Sequence, residues 1–306
     1  MPGLFVLLWA TGFIGAKLGL PYAPPLKFLL WRFAIVIVLM TLLALAARAL
    51  WPRGVQWVHV AVAGVLLQAG YVGGIFVSID LGMPAGVSAL VVGLQPVLTA
   101  AFAASTTSSL GERVSARQWL GFALGFGGVA LVVWGRAGPG GLAAVAGAVG
   151  AGAVGVGGMA WGGLAAVVMA LLAMTVGLLY QKRYCGTLDV RTQSVVQFIA
   201  AAAVLLPLSL AFETRAVVWS GEFLFALGWL VLVLSVGAVS LLLVMIRRGA
   251  ATSVSSLMYL VPPVTALMAW LMFDEALGVA AIAGMALAAA GVALVAGAPP
   301  VTRRTD

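Results

Sequence analysis

Gln95-Pro96-Val97-Leu98-Thr99-Ala100 and Val261-Pro262-Pro263-Val264-Thr265-Ala266 open two stretches of the chain that run in parallel. Each is followed by a glutamate with glycines at fixed distances behind it. Glu112 precedes Gly121 by nine residues and Gly128 by sixteen, and Glu275 precedes Gly284 by nine and Gly291 by sixteen. Gly128-Val129-Ala130-Leu131-Val132 then recurs letter for letter as Gly291-Val292-Ala293-Leu294-Val295. Small apolar residues coincide easily, so the proline and glutamate landmarks carry the match. The repetition departs from strict register once. Pro96 to Glu112 is three residues longer than Pro262 to Glu275, and polar Ser105-Thr106-Thr107-Ser108-Ser109 lies in the longer copy.

The surroundings of these stretches decide the solvent. The chain has 306 residues, 64% of them apolar and only 8% charged. A soluble domain carries about 25% charged residues, so a soluble enzyme, a nucleic-acid binder and a disordered chain are all excluded. The net charge of +8 comes from basic residues beside apolar runs, where orientation signals sit. Ten apolar runs are legible, near 3–20, 26–47, 57–79, 85–105, 118–135, 164–181, 192–211, 223–245, 250–272 and 278–297. Each approaches the ~20 residues that one helix needs to cross a bilayer. They are too continuously apolar for the alternation of a membrane β-barrel. The run from Gly3 to Leu20 lacks a basic leader region and reads as the first spanning helix. One cysteine, Cys185, and one histidine, His59, exclude an internal disulfide, a cysteine-based zinc site and a histidine cluster. No cofactor or metal is expected.

Charge settles the one ambiguous region. Residues 137–181 hold no charge, and 11 of the first 27 are glycine, so either one helix after a linker or two helices would fit. With the N-terminus inside and ten helices, the inner connections and tail carry eleven basic residues. They are Arg48, Arg53, Arg113, Arg117, Lys182, Arg183, Arg191, Arg247, Arg248, Arg303 and Arg304. Only Arg136 and Arg215 fall in the outer connections. An extra helix would move Lys182, Arg183, Arg247 and Arg248 outside, against the positive-inside rule. A repeat of five helices is odd, so its copies cross the membrane in opposite directions. Such inverted repeats are characteristic of secondary transporters, with the substrate site between the halves. The expectation is an all-α integral membrane protein of ten transmembrane helices, arranged as two inverted five-helix repeats around a central cavity. The repeats span 1–136 and 164–306, joined by a Gly/Ala-rich linker at 137–163. Both termini are cytoplasmic, and the protein lies in a bacterial inner membrane.

Polar side chains inside apolar runs are the candidate site residues, because burying them in lipid is costly without a partner or a wet cavity. Gln68, Tyr71 and Ile75 share one helical face. Ser88, Gln95 and Thr99 share another, as do Thr252, Ser255, Ser256 and Tyr259. Gln193 and Gln197 lie one turn apart. These faces converge on a polar cavity, or else bond their own backbones and glue helix to helix. Tyr71, Tyr180 and Tyr259 read equally as cavity wall or interfacial belt. Lys17 and Arg32 either meet a substrate carboxylate, or reach the headgroups or a structural partner. Pro96, Pro262 and Pro263 occupy matching places in the two halves and suit hinges. Gly121 and Gly125, with Gly284 and Ala288 in the equivalent place, allow close helix packing, within one chain or between copies. A monomer or weak homodimer is expected.

With these residues in hand, the sequence resembles the drug/metabolite transporter superfamily, and within it the EamA-type ten-helix exporters. The likeness rests on Trp9-Ala10-Thr11-Gly12-Phe13 with Lys17, on Arg32-Phe33, on Gln95-Pro96-Val97, and on the duplicated glutamate and glycine landmarks. It implies a central cavity for small molecules, favours Trp9 as a cavity residue, and is similar to amino-acid exporters of the YddG kind. The superfamily also includes multidrug, quaternary-cation and purine exporters. An intramembrane enzyme lacks a nucleophile–base set here, and a channel lacks a charged ring. No Asp or Glu lies well inside any run. Ion-driven carriers usually keep such a carboxylate, so export by facilitated diffusion or exchange is expected, with a small molecule and the bilayer as the partners.

Overall fold

A computed structural model describes residues 2–106, 116–137, 161–186, 188–238, 260–275 and 278–296. Among the described residues every regular element is helical. The elements are α1 (Pro2–Gly19), α2 (Pro25–Ala46), α3 (Gln56–Asp80), α4 (Ala85–Val92), α5 (Gln95–Thr106) and α6 (Ala116–Ala137). They continue with α7 (Trp161–Tyr184), α8 (Val190–Phe212), α9 (Gly221–Gly228), α10 (Val261–Phe273) and α11 (Val279–Ala296). Two stretches wind more loosely, as π-helix. Val65–Val72 lies inside α3, and Trp229–Ala238 continues α9.

Four helices, α2, α3, α7 and α8, are long and apolar enough to cross a membrane. Shorter apolar helices cover Val6–Gly19, Ala85–Thr99, Trp119–Val132, Gly221–Gly237, Val261–Phe273 and Ile282–Gly291. All of them fall on apolar runs of the sequence. The Gly/Ala-rich segment 138–160, the start of the ninth run with Tyr259, and the polar insertion from Thr107 onward lie outside the described residues.

Local chemistry sets the helix ends. Pro24 is extended and Pro25 occupies the first turn of α2, where a missing N–H costs nothing. The Asp189 carboxylate accepts from the Arg191 N–H at the start of α8, and Ser220 Oγ accepts from the Phe223 N–H at the start of α9. The fourth apolar run breaks at Gly93-Leu94, so Pro96 sits in the first turn of α5 rather than in a helix interior. Pro262 and Pro263 likewise open α10. The proline inside a long helix is Pro207, in α8.

Helix faces divide by environment. On α2, Phe28, Leu29, Arg32, Phe33, Val36 and Met40 are buried, while Trp31, Ile35, Val38, Leu42 and Leu45 are exposed. A large apolar face left uncovered this way suits lipid, not water. The buried face meets Phe198 of α8 at 5.1 Å between ring centroids, Phe223 of α9 at 5.0 Å and Phe76 of α3 at 5.3 Å.

Where helices approach most closely, small residues make the approach possible. Gly128 of α6 lies against the Gly284 carbonyl of α11, and Gly291 of α11 lies against Gly121 and Gly125 of α6. Low residue numbers thus meet high ones, so α6 and α11 run in opposite directions. The glycine motif therefore joins two helices of the same chain. Gly64 of α3 meets the backbone of Gln197 in α8 in the same way. In lipid, where burial alone does not drive helices together, such backbone proximity supplies the packing.

A side chain at Gly284 therefore has no room beside Gly128 and Val132. Gly284→Leu is expected to lower the thermal stability of the purified protein by about 1–3 kcal/mol, the usual cost of overpacking. Gly127→Leu, at a glycine with nothing within 4 Å of an added carbon, leaves it unchanged. Equal melting temperatures in the two variants would contradict the packing assigned to α6 and α11.

Candidate functional site

A cavity of about 230 Å³ opens between α1, α2 and α3 on one side and α7, α8 and the π-helical continuation of α9 on the other. Its wall is mostly apolar. Phe13, Phe76 and Phe198 supply rings, and Leu67, Met174, Leu178 and Leu234 fill between them. The polar wall is small: Trp9, Arg32, Gln68, Tyr71, Ser194 and Ser235. An apolar sleeve with a few convergent polar groups is the usual form of a small-molecule site.

Arg32 is the charged residue of this wall. It lies on the buried face of α2, one turn from Phe28, Leu29 and Val36, so the helix carries it inward and not toward lipid. It is only 6% exposed. Its Nη2 donates to Ser235 Oγ at 3.1 Å, and that hydroxyl donates to the Leu230 carbonyl at 3.0 Å. The Arg32 Nε is buried and has no hydrogen-bond partner among the described residues. No carboxylate lines the cavity among the described residues. A guanidinium buried in a mostly apolar wall without an opposite charge is costly, and this one keeps an Nε donor without a partner among the described residues.

Both π-helical stretches face this cavity. Leu67, Gln68, Tyr71 and Val72 come from the stretch in α3, and Leu234 and Ser235 from the one after α9. A π turn takes an extra residue, which rotates the following side chains relative to an α-helix, and such turns recur at functional sites. The bond from Ser235 to Leu230, five residues back, follows that wider winding.

The other candidates scatter. Lys17 leaves the cavity and pairs with Glu275, with its ammonium also 4.7 Å from the centre of the Phe273 ring. Gln95 donates to Thr99 Oγ1 one turn on, at 2.6 Å, and does not line the cavity. Gln197 is buried at the crossing with Gly64, and its Nε2 has no partner among the described residues. Tyr180 Oη lies 2.8 Å from His59 Nδ1, in a cluster with Tyr184. Pro96 and the Pro262-Pro263 pair lie outside the wall, and Tyr259 lies outside the described residues. Trp9, Arg32, Gln68 and Tyr71 are thus the candidates that come together. Sequence reasoning passes over the apolar sleeve and over Ser194 and Ser235. Ser194 and Phe198 share a helical face at a spacing of four, which is a usable signal. The π winding is not, because it shifts register silently.

One end of the bundle is tied shut. Glu275 pairs with Lys17 and also accepts from the Ala85 N–H at 3.3 Å, at the start of α4. Glu213 accepts from the Leu26 N–H at 2.6 Å and the Lys27 N–H at 2.9 Å, at the start of α2, and from Ser209 Oγ at 2.8 Å. Negative charge at a helix N-terminus meets unpaired N–H groups and the favourable end of the dipole. Arg215 donates to the Leu20 carbonyl at 2.9 Å and reaches Asp80 at 3.4 Å. Trp31 packs edge-on against Trp219 at 5.0 Å beneath this network. Both capping acids come from the C-terminal half, and both capped helices belong to the N-terminal half.

Comparison with known proteins agrees with this architecture. The sequence profile of the EamA-like transporter family matches residues 4–134 and 160–297. An uncharacterised Bacillus subtilis transporter, YvbV, is 27% identical over 304 residues, covering 95% of this chain and 88% of that one. A probable amino-acid metabolite efflux pump of Salmonella typhimurium is 31% identical over 130 residues, 42% of this chain and 40% of its own length. Its Escherichia coli counterpart is 30% identical over the same length. A solved crystal structure superposes with a TM-score of 0.62 at 22% identity, covering 96% of this chain and 94% of the other, which supports the fold alone. With the profile matching both parts of the chain, the protein belongs to the EamA-like transporter family and is a membrane transporter, not an enzyme.

Proposed function

We propose that the protein exports small amino-acid-type metabolites across the bacterial cytoplasmic membrane by alternating access, through the cavity that Arg32 lines. The observation that carries this reading is the buried, partly unpaired guanidinium in a mostly apolar cavity with no carboxylate among the described residues. A carboxylate is the group such a donor is built to meet. The names of the partial relatives, probable amino-acid metabolite efflux pumps, point to the same chemistry. A multidrug or quaternary-cation exporter is the alternative. The Arg32 charge opposes it, because a cation entering the cavity meets a like charge with no acid to offset it.

The reading takes the chain as ten spanning helices in two inverted five-helix repeats, 1–136 and 164–306. Three features support it. The family profile matches on both sides of the linker. The two π-helical stretches, Val65–Val72 and Trp229–Ala238, fall at corresponding places when Pro96 is aligned with Pro262. Gly121 meets Gly291 while Gly128 meets Gly284, the exchange that a two-fold axis between equivalent helices would make. The excess of basic residues in the alternate connections supports cytoplasmic termini. The end closed by Lys17–Glu275 and Glu213 is then the outer one, so the cavity is shut toward the outside. Outward opening separates these acids from the helices they cap. Pro96, Pro262 and Pro263, at helix starts in both halves, and the two π stretches are the places where the backbone gives way. With no acid inside the spans, the substrate's own gradient, or exchange, drives export.

In proteoliposomes, labelled substrate is expected to show saturable counterflow with trans-stimulation and no uphill accumulation when a pH gradient is imposed. Linear flux, or accumulation driven by the gradient, would contradict the reading. A second expectation concerns the closed end. With the buried Cys185 replaced by alanine and a reporter cysteine placed at Ile75 in the cavity wall, Glu275→Gln should speed labelling by an impermeant maleimide added from outside several-fold. An unchanged rate would show that the Lys17–Glu275 pair does not hold that end closed.

A further inference from the structure

The cavity and the distribution of the eight acidic residues of the chain together narrow the charge of what it accepts. Asp80 lies beside Arg215, Asp189 caps α8, Glu213 caps α2, and Glu275 is paired with Lys17. Glu222 is exposed in the first turn of α9, and Asp274 terminates α10. Glu112 and Asp306 lie outside the described residues, and neither belongs to an apolar run. The stretch 223–273, part of which is not described, contains no acid in its sequence. Among the described residues the cavity therefore has no carboxylate to receive an ammonium. Its other polar groups are neutral: Ser235 Oγ accepts from Arg32 and donates to Leu230, Ser194 Oγ donates to the Val190 carbonyl, and the Tyr71 hydroxyl and Gln68 amide carry no charge to answer an ammonium.

A free amino acid would bring its ammonium to within a few ångströms of its carboxylate, and so beside the guanidinium. Its net charge of zero would leave the wall's positive charge uncompensated. A monoanion with the same carbon skeleton neutralises Arg32, offers an acceptor to the unpaired Nε, and lays its apolar body against Phe13, Phe76, Phe198 and Met174. From this geometry we infer that the preferred substrate is a monoanionic carboxylate with an apolar body and no free ammonium, such as an N-acylated or 2-oxo relative of an amino acid. The inference rests on the proposed transport of amino-acid-type metabolites through this cavity and specifies their charge state. Arg32 is the residue that reads the carboxylate, and the acid-free wall is what rejects the ammonium.

The test is counterflow in proteoliposomes holding the full-length protein, with N-acetyl-phenylalanine, phenylpyruvate, phenylalanine and phenethylamine as competing probes at neutral pH. The two monoanions are expected to compete with half-saturation about tenfold lower than phenylalanine, the worth of one added charge-assisted contact. Phenethylamine is expected not to compete. Arg32→Gln should erase the preference, and Arg32→Lys should keep most of it. Thermal stabilisation of the wild-type protein by the same four probes should give the same order, so the result does not depend on the variants folding. Phenylalanine competing as well as or better than the monoanions would overturn the inference and leave the transport reading standing. A preference that survives in Arg32→Gln would overturn the role of Arg32. If none of the probes competes or stabilises, both the inference and the proposed substrate class fail.

Discussion

A positive charge held inside an apolar bundle must be answered, and the arrangement around Arg32 is organised by that demand. The guanidinium sits on the buried face of α2, with one nitrogen bonded to Ser235 and another buried without a partner. A protein that needed Arg32 only for stability would pair it, because an uncompensated charge in a low-dielectric wall costs several kcal/mol. Here the wall offers a cavity instead of a carboxylate. The cost is tolerable if water or an anion occupies that space, and the carboxylate of the proposed substrate would be such an anion.

The same scarcity of acids explains the closed end. Glu213 and Glu275 are set against helix N-termini of the opposite half, where each satisfies backbone N–H groups with no intrahelical partner. Lys17 completes the Glu275 contact. These contacts are polar and lie at helix ends, whereas the core is packed from apolar side chains. Close glycine packing between α6 and α11, by contrast, leaves little freedom to slide. The two kinds of contact divide the bundle into an end tied by polar contacts and a flank joined by close backbone packing.

Much of this arrangement is legible in the amino-acid sequence. Apolar runs of spanning length, with breaks at Pro, Gly and charge, locate the helices, because lipid leaves the backbone no alternative to helix. Asking which polar residues stand inside those runs finds Arg32, Gln68 and Tyr71, and the family resemblance adds Trp9; the fold gathers these four into one wall. Lys17 looks much like Arg32 in sequence, yet its partner lies 258 residues away, and no local pattern reveals so distant a contact. Gln95 is discountable from its neighbours, since Thr99 stands one turn on to receive it. The π winding in α3 and after α9 leaves no trace in composition. A helical wheel drawn at a period of 3.6 gives the wrong facing for residues within and beyond such a stretch, and Ser235 lies inside one. Apolar lining residues such as Phe198 and Met174 are indistinguishable in sequence from any other core residue.

The most direct test of the account is a structure of the protein in lipid with a bound carboxylate substrate. The account predicts density in the cavity between α2, α3 and α8, with a carboxylate oxygen within hydrogen-bonding distance of the Arg32 Nε and the apolar body against Phe13, Phe76 and Phe198. Substrate density elsewhere, or an Arg32 side chain turned to pair with a protein carboxylate while the cavity stays empty, would contradict it.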